Sequence, residues 1–357
     1  MNHNELTFYV HKEKIKENFL GFQEQGTVFY PVKANSNPKI IKLIDEMIKN
    51  TNNGYLISYV DHFHQLKVLG VDISKICLMN VLMSKENVKY LYEQGVRFFV
   101  FDHIDALNDF LTYAALSETK IALRLSTIEV FNIFTQLGAC KEELLEMINR
   151  LKDCASLGIS FYLNDEVKRC KKNALDIMLE YIISEFKDVS IDFLSIGGVT
   201  HYKNLPYELI QKLKKSLSLK EVILEPGKYL IGDTMDLETP ITRVREICGI
   251  KAITMTAGIY SGMLDLFLYN TKFEILLKLK NGQLIPIHYN KMPNDIGFYL
   301  YGGSSDNKDV IGMVFIDKTY AHELCTQNNL LIKNVGAYFE EFFMKYGCDI
   351  NKSLKTI

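Results

Sequence analysis

From residue 28 to about residue 230 the chain alternates between two kinds of apolar pattern. Short runs rich in β-branched and aromatic residues are each followed by a stretch in which apolar side chains recur every three or four positions. The runs are TVFYPVKAN, GYLIS, KICLMN, RFFVFD, KIALRLS, ISFYLN, IDFLSIGG and VILEPG. They predict strands, and the intervening pattern predicts helices. The first helix signal is the clearest: Asn37 caps, Pro38 takes the first helical position, and Ile40, Ile41, Ile44, Met47 and Ile48 form one face. Later helices are expected in SKENVKYLYEQG, stopping on Gly95, and in KEELLEMINRLKDCASLG, stopping on Gly158. Behind KIALRLS the helix starts late, and TIEVFNIFTQLG reads as a long loop. Eight strands, each feeding a crossover, match a (β/α)8 barrel. An open doubly wound sheet shows the same alternation.

After residue 235 the pattern changes. RVREICGIKAITMTAGI, FEILLKLKNGQLIPIHYN, GFYLYGG and VIGMVFID read as strands, with turns at Asn281-Gly282 and Gly302-Gly303. GAYFEEFFMKYG near the end looks helical, and the opening LTFYVHKEK is itself strand-like. The expected organisation is a segment 1–27 that joins a β-rich domain, a barrel over 28–235, and the β-rich barrel or sandwich domain over 236–357.

Composition narrows the function classes. The chain has 357 residues, 48% hydrophobic, with 41 basic and 43 acidic side chains and a net charge of −2, so no electrostatic footprint for nucleic acid or an anionic membrane is present. No apolar run approaches the roughly 20 residues of a spanning helix. MNHNELTFYVHKEKIKENF lacks the basic-then-apolar layout of a signal peptide. Seven scattered cysteines without a C-x-x-C argue against a disulfide framework or a structural zinc site, and a reducing cytosol is the expected location. His62 and His64, two apart on a helix, do not share a face and read as surface or rim residues, not metal ligands. His201 reads as a loop histidine.

The working face of such a barrel is at the C-terminal ends of its strands. Those positions hold Lys33, Ser58, Asn80, Asp102, Arg124 with Ser126, Tyr162 with Asn164, Gly197-Gly198 and Glu225. A lysine there either forms a Schiff base with a carbonyl, or pairs with Asp102 or Glu225 and holds the rim together. Spacing alone leaves both readings open.

YPVKANSNP resembles the lysine motif of the fold-type III pyridoxal-phosphate enzymes, in the ornithine/diaminopimelate decarboxylase branch. LSIGGV (194–199), EPGKYLIGD (225–233) and GAY (336–338) are similar to that family's glycine segment, its Glu-Pro-Gly-Arg motif and its C-terminal tyrosine motif, in the same order. The resemblance covers about Thr7 to Tyr346. It implies an alanine-racemase-like barrel plus β domain, pyridoxal 5′-phosphate bound covalently by Lys33, Glu225 beside the pyridine nitrogen, and a homodimer with shared active sites. It further implies that Gly197, Gly198, Gly227, Lys228 and Tyr338 serve the phosphate and that Arg124 and Tyr162 contact the cofactor.

The chain departs from the family pattern in several places. Lys228 stands for an arginine, turning a bidentate clamp into a point charge. The Gly-Pro-x-Cys-Asp-like loop reads YGGSSDNKDVI, placing Ser305 at the position of the proton-donating cysteine, Asp306 beside it and Asp309 further on. A serine hydroxyl is a far weaker acid than a thiol, so Lys33 or a tyrosine is the alternative donor. YLND puts Tyr162 where the family has a ring-stacking histidine, and Asp165 where it has a phosphate-binding serine. Asp165 is therefore expected to point away. TAGIYSG carries Ala257 where ornithine decarboxylases have the aspartate that receives the distal amine, which argues against ornithine or lysine bound in the usual way. The leading expectation is decarboxylation of an amino acid or amino-acid-bearing intermediate in biosynthesis, of siderophore, antibiotic or peptide-nucleotide type. A racemase or epimerase on the same scaffold, and a silent homologue acting as a regulator, are the alternatives.

Overall fold

The computed structural model describes residues 5–338 and 354–357. They divide into two compact units, one of residues 16–229 and the other of residues 5–15, 230–338 and 354–357. The first strand, β1 (Thr7–Val10), belongs to the second unit.

In the first unit, β2 (Thr27–Pro31), β3 (Gly54–Ile57), β4 (Ile76–Leu78), β5 (Phe98–Phe101), β6 (Lys120–Arg124), β7 (Ser156–Tyr162), β8 (Phe193–Gly197) and β9 (Glu221–Leu224) close a barrel in chain order. Every neighbouring pair is parallel, and closure comes from β9 returning to β2, with Thr27 opposite Ile223 and Val28 opposite Leu224. All eight strands read from the sequence are present, and closure removes the open-sheet alternative.

Strand parity fills the barrel interior. Phe29, Leu56, Cys77, Phe98, Val100, Ala122, Phe193 and Ile223 pack into one buried cluster. Because successive side chains point to opposite faces, the next inward positions toward the strand ends are Asp102, Arg124, Ser195 then Gly197, and Glu225. An apolar middle layer thus obliges a polar mouth. At the other end, the rings of Phe29, Phe98 and Phe193 meet edge to face with centroids 5.5 Å apart, and Lys120 Nζ lies 4.4 Å from the Phe193 centroid and 4.8 Å from that of Phe98. The Lys120 ammonium pairs with Glu221, so aromatic rings and one ion pair form the barrel floor.

The helix over Pro38–Ile48 forms as its pattern requires. Asn37 Oδ1 accepts the Lys39 N–H (2.9 Å), and Ile40, Ile41, Ile44 and Ile48 are buried while Met47 is half-buried. The Lys85–Glu93 helix is capped by Ser84 and followed by Gly95 at φ +98°. One expectation is corrected. The next predicted helix spans only Lys141–Arg150, and Gly158 sits inside β7. A Cβ at Gly158 would lie 2.5 Å from the Phe193 ring, so this glycine makes room for an inward phenylalanine and is no helix stop.

In the second unit, β10 (Met235–Ile247), β11 (Ile250–Met255), β12 (Ile275–Lys278), β13 (Leu284–Ile287), β14 (Asp295–Tyr301), β15 (Val310–Asp317), β16 (Asn329–Ile332) and β17 (Leu354–Thr356) join β1 in one mostly antiparallel sheet. β1 pairs antiparallel with β10 and parallel with β17. The turn at Asn281-Gly282 is present, with Gly282 at φ +85° and Asn281 Oδ1 accepting the Gln283 N–H. β16 and a helix over Leu264–Tyr269 went unread in the sequence. The helix expected in GAYFEEFFMKYG lies outside the described residues beyond Tyr338. Among the described residues six cysteines are free thiols, and no helix is long and apolar enough to cross a membrane.

Gly158→Ala is expected to destabilise the protein by about 1–3 kcal/mol through overpacking against Phe193, read as a lower denaturant midpoint with unchanged m.

Candidate active site

Lys33 leaves the barrel on a single 3-10 turn, Val32–Ala34, directly after β2. The polar residues that follow fix this turn. The Tyr30 hydroxyl donates to Asn35 O (2.9 Å), Asn35 Oδ1 accepts the Asn37 N–H (3.1 Å), and the Gln65 amide donates to Ser36 O. Asn35 and Asn37 are fully buried. Asn-Ser-Asn-Pro after the lysine therefore locks its backbone before the helix begins.

The Lys33 side chain is walled by protein yet keeps solvent-accessible surface, as a group does at the bottom of an open concavity. Among the described residues its amine makes no hydrogen bond or ion pair with Asp102, Glu225 or any other group. The rim-bracing reading is thereby set aside, since both carboxylates are engaged elsewhere. Ser195 Oγ donates to Glu225 Oε1 (2.7 Å), and the Gly138 N–H donates to Asp102 Oδ2 (2.9 Å).

Electrostatics at the mouth follow from burial. Desolvation lowers Lys33 below the ordinary 10.5; the nearby Glu225 charge opposes this and Arg124 adds to it. Desolvation raises Glu225 above 4.5 against the pull of the Ser195 hydrogen bond and of Arg124 and Lys33. Arg124 is lowered by burial, and its guanidinium lies 5.8 Å from the Tyr162 ring centroid. Desolvation comes first in all three, because these charges share a low-dielectric concavity.

Two glycines make the close approaches possible. A Cβ at Gly197 would lie 2.9 Å from Glu225 Oε2 and 2.9 Å from Tyr162 Cδ2. Gly198, at φ +69°, would put one 2.1 Å from Leu163 O. Gly227 follows Glu225 out of β9, and Lys228 opens a helical turn over Lys228–Ile231. Asp165 pairs with Lys168 (2.8 Å). Ser58 and Asn80 serve the loops: the Asn80 amide donates to Ser58 O (2.9 Å), and the Ser58 N–H meets His62 Nδ1 (3.3 Å). His62 is buried, not a surface residue, while His64 is exposed. His201 accepts the Lys203 N–H in its loop.

The first unit thus gathers Lys33, Arg124, Tyr162, Gly197, Gly198, Glu225, Gly227 and Lys228 at the strand ends. Ser305, Asp306 and Tyr338 belong to the second unit. Ser305 and Asp306 lie on a loop whose neighbour Asp309 is buried, its carboxylate accepting the Ile259 N–H (2.7 Å) and the Ser304 N–H (3.1 Å). Asp309 thereby fastens the Ala257 loop to the Ser305 loop. Tyr338 has φ +60°, with its ring 6.0 Å from that of Tyr269. Sequence reasoning missed Ser195, although it sits two residues before Gly197 on the same strand face, where period-two alternation points it inward.

These residues fit pyridoxal phosphate: an amine without a direct partner among the described residues for its aldehyde, a half-buried carboxylate for its ring nitrogen, and a Cβ-free backbone pair for its phosphate. A barrel with a lysine just past the first strand and an acid just past the last suits a cofactor that carries an aldehyde. Residues 10–232 match the family model for the pyridoxal-binding domain of pyridoxal-dependent decarboxylases, and the chain belongs to that family. Its cofactor is pyridoxal phosphate. The fold is similar over 99% of the chain to the arginine decarboxylase of Paramecium bursaria Chlorella virus (18% identity, 97% of that chain, TM-score 0.79). It is also similar over 99% to a lysine decarboxylase from Selenomonas ruminantium (21%, 91%, 0.76) and to a lysine/ornithine decarboxylase complexed with cadaverine from Vibrio vulnificus (15%, 94%, 0.75). No curated protein sequence matches the chain.

Because the folded-state pKa of Glu225 is raised, its ionisation opposes folding at every pH above the ordinary 4.5. Cofactor-free Glu225→Gln is therefore expected to unfold at a higher temperature than the parent at neutral pH, with the gap closing as pH falls below that value. Equal melting temperatures across the pH range would contradict the assignment of a net desolvated carboxylate.

Proposed function

We propose that the protein decarboxylates an amino acid or an amino-acid-bearing biosynthetic intermediate, with Lys33 holding pyridoxal phosphate covalently at the barrel mouth. The observation that carries this reading is the Lys33 amine, walled by protein yet open to solvent and lacking a direct hydrogen bond or ion pair among the described residues. Bound pyridoxal phosphate acts as an electron sink that lets carbon dioxide leave the α-carbon. The lowered pKa keeps more of Lys33 Nζ in the neutral, nucleophilic form at a given pH. Glu225, oriented by Ser195, stabilises positive charge beside it and so holds a proton on the ring nitrogen. Gly197, Gly198, Gly227 and Lys228 supply N–H groups and one cation for the phosphate, and Tyr338 a hydroxyl. Arg124 and Tyr162 supply a cation and an aromatic face to the cofactor's surroundings.

For returning a proton to the α-carbon the candidates are Lys33 Nζ and a tyrosine, since the Ser305 hydroxyl is a poor acid. A homodimer in which Ser305 and Asp306 of one chain complete the other chain's site is part of the proposal. Support comes from the loop that Asp309 holds in place with both residues exposed. The free thiols support a reducing compartment such as the cytosol.

The test is borohydride reduction of the cofactor-loaded protein, followed by mass spectrometry of the peptide containing Lys33. The label is expected on Lys33, and Lys33→Ala is expected to lower carbon dioxide release by at least about a hundredfold. A label on another lysine would overturn the assignment, and stereochemical scrambling without carbon dioxide release would favour the racemase.

A further inference from the structure

The crossover after β6 folds back across the barrel mouth. The Asp102 carboxylate receives the Gly138 N–H, the Ala139 N–H donates to Arg124 O (2.8 Å), and the Ser126 N–H donates to Ala139 O (2.9 Å). Gly138 adopts φ +108°, and a Cβ there would lie 2.6 Å from the Ser126 backbone, so the two ends of the loop close tightly on each other. Inside is a cavity of about 240 Å³ whose walls include Arg124, Thr127, Phe134, Gln136, Tyr162 and Asn164.

The proposed handling of the cofactor leaves several properties of this cavity unexplained. Thr127 is 2% exposed, and among the described residues its hydroxyl has no hydrogen-bond partner. Such an orphaned group costs free energy unless something outside the chain satisfies it. The Arg124 guanidinium makes no hydrogen bond or ion pair among the described residues, although it carries several donors in a fixed fork. No carboxylate lines the cavity. Phe134 stands at its edge 78% exposed, an apolar ring left in water beside a polar pocket.

We propose that this cavity is a subsite for the side chain of an acidic amino-acid substrate. Its terminal carboxylate would face Arg124, Thr127 and Gln136, and its methylene stem would lie against Phe134 and Tyr162. The inference rests on the decarboxylase reading above and adds the class of substrate. A guanidinium, the Thr127 hydroxyl and two amides (Gln136 and Asn164) can all donate, which suits a group that only accepts. An ammonium in the same place would face the Arg124 cation with no carboxylate in the wall to balance it.

The test uses the full chain loaded with pyridoxal phosphate, titrated with L-glutamate and L-2-aminoadipate against L-ornithine and L-lysine. The change in the cofactor's absorption gives the affinity. The acidic pair is expected to bind at least about tenfold more tightly. Gln136→Glu, an exposed substitution that leaves folding alone, is expected to weaken the acidic pair by about tenfold and leave the diamino acids within about twofold. Thr127→Val, nearly isosteric, is expected to weaken the acidic pair by about fivefold to tenfold. Glutarate, which lacks an amine, is expected to raise the melting temperature of the cofactor-free parent and not of Gln136→Glu. Tighter binding of the diamino acids, equal weakening of all four ligands by Gln136→Glu, or no effect of glutarate overturns the subsite. Loss of the Lys33-bound cofactor band in the parent overturns the decarboxylase reading instead, and the glutarate measurement still decides this proposal.

Discussion

A partly desolvated amine with no direct ion pair among the described residues is the constraint around which the barrel unit is organised. Water would hold the Lys33 ammonium more strongly than the barrel mouth does, and a carboxylate in direct contact would quench its nucleophilicity. The fold keeps both away from full effect. Asp102 is spent on a loop amide, Glu225 on Ser195, and the Arg124 cation further disfavours protonation of Lys33. The hydrogen-bonded asparagines behind the turn anchor the backbone that carries the lysine.

The same economy runs through the glycines. Gly158, Gly197 and Gly198 are absences of side chain that let Phe193, Glu225 with Tyr162, and the Leu163 carbonyl approach the chain. In each case the neighbour that needs the space is remote in sequence, so the glycine's purpose is legible only when both partners are placed.

That distinction explains how much was readable beforehand. The barrel strands were legible because each carries a compact apolar run, and the mouth residues because parity turns a run's last inward position into a ligand-facing one. Lys33, Arg124 and Glu225 were found as strand-tip positions. The barrel followed from eight strands and from the family resemblance; the strand pattern alone is shared by an open sheet, because closure depends on β9 meeting β2 across nearly the whole unit. Gly158 was misread because a glycine after a helical pattern looks the same whether it ends a helix or relieves a crowded strand. His62 was misplaced because its burial comes from the tip of β3, which its own helix does not reveal. Thr127 gave no signal: an unpartnered hydroxyl is defined by what fails to surround it. β16 was passed over because its NLLI segment is short and gains its strand character from β10 and β12 on either side.

The aromatic floor has a consequence for traffic. With Phe29, Phe98 and Phe193 wedged together and Lys120 tied to Glu221 beneath the apolar layer, the barrel axis is a blind shaft. Whatever reaches or leaves the Lys33 end of the shaft does so on the mouth side, and none of that traffic crosses the floor.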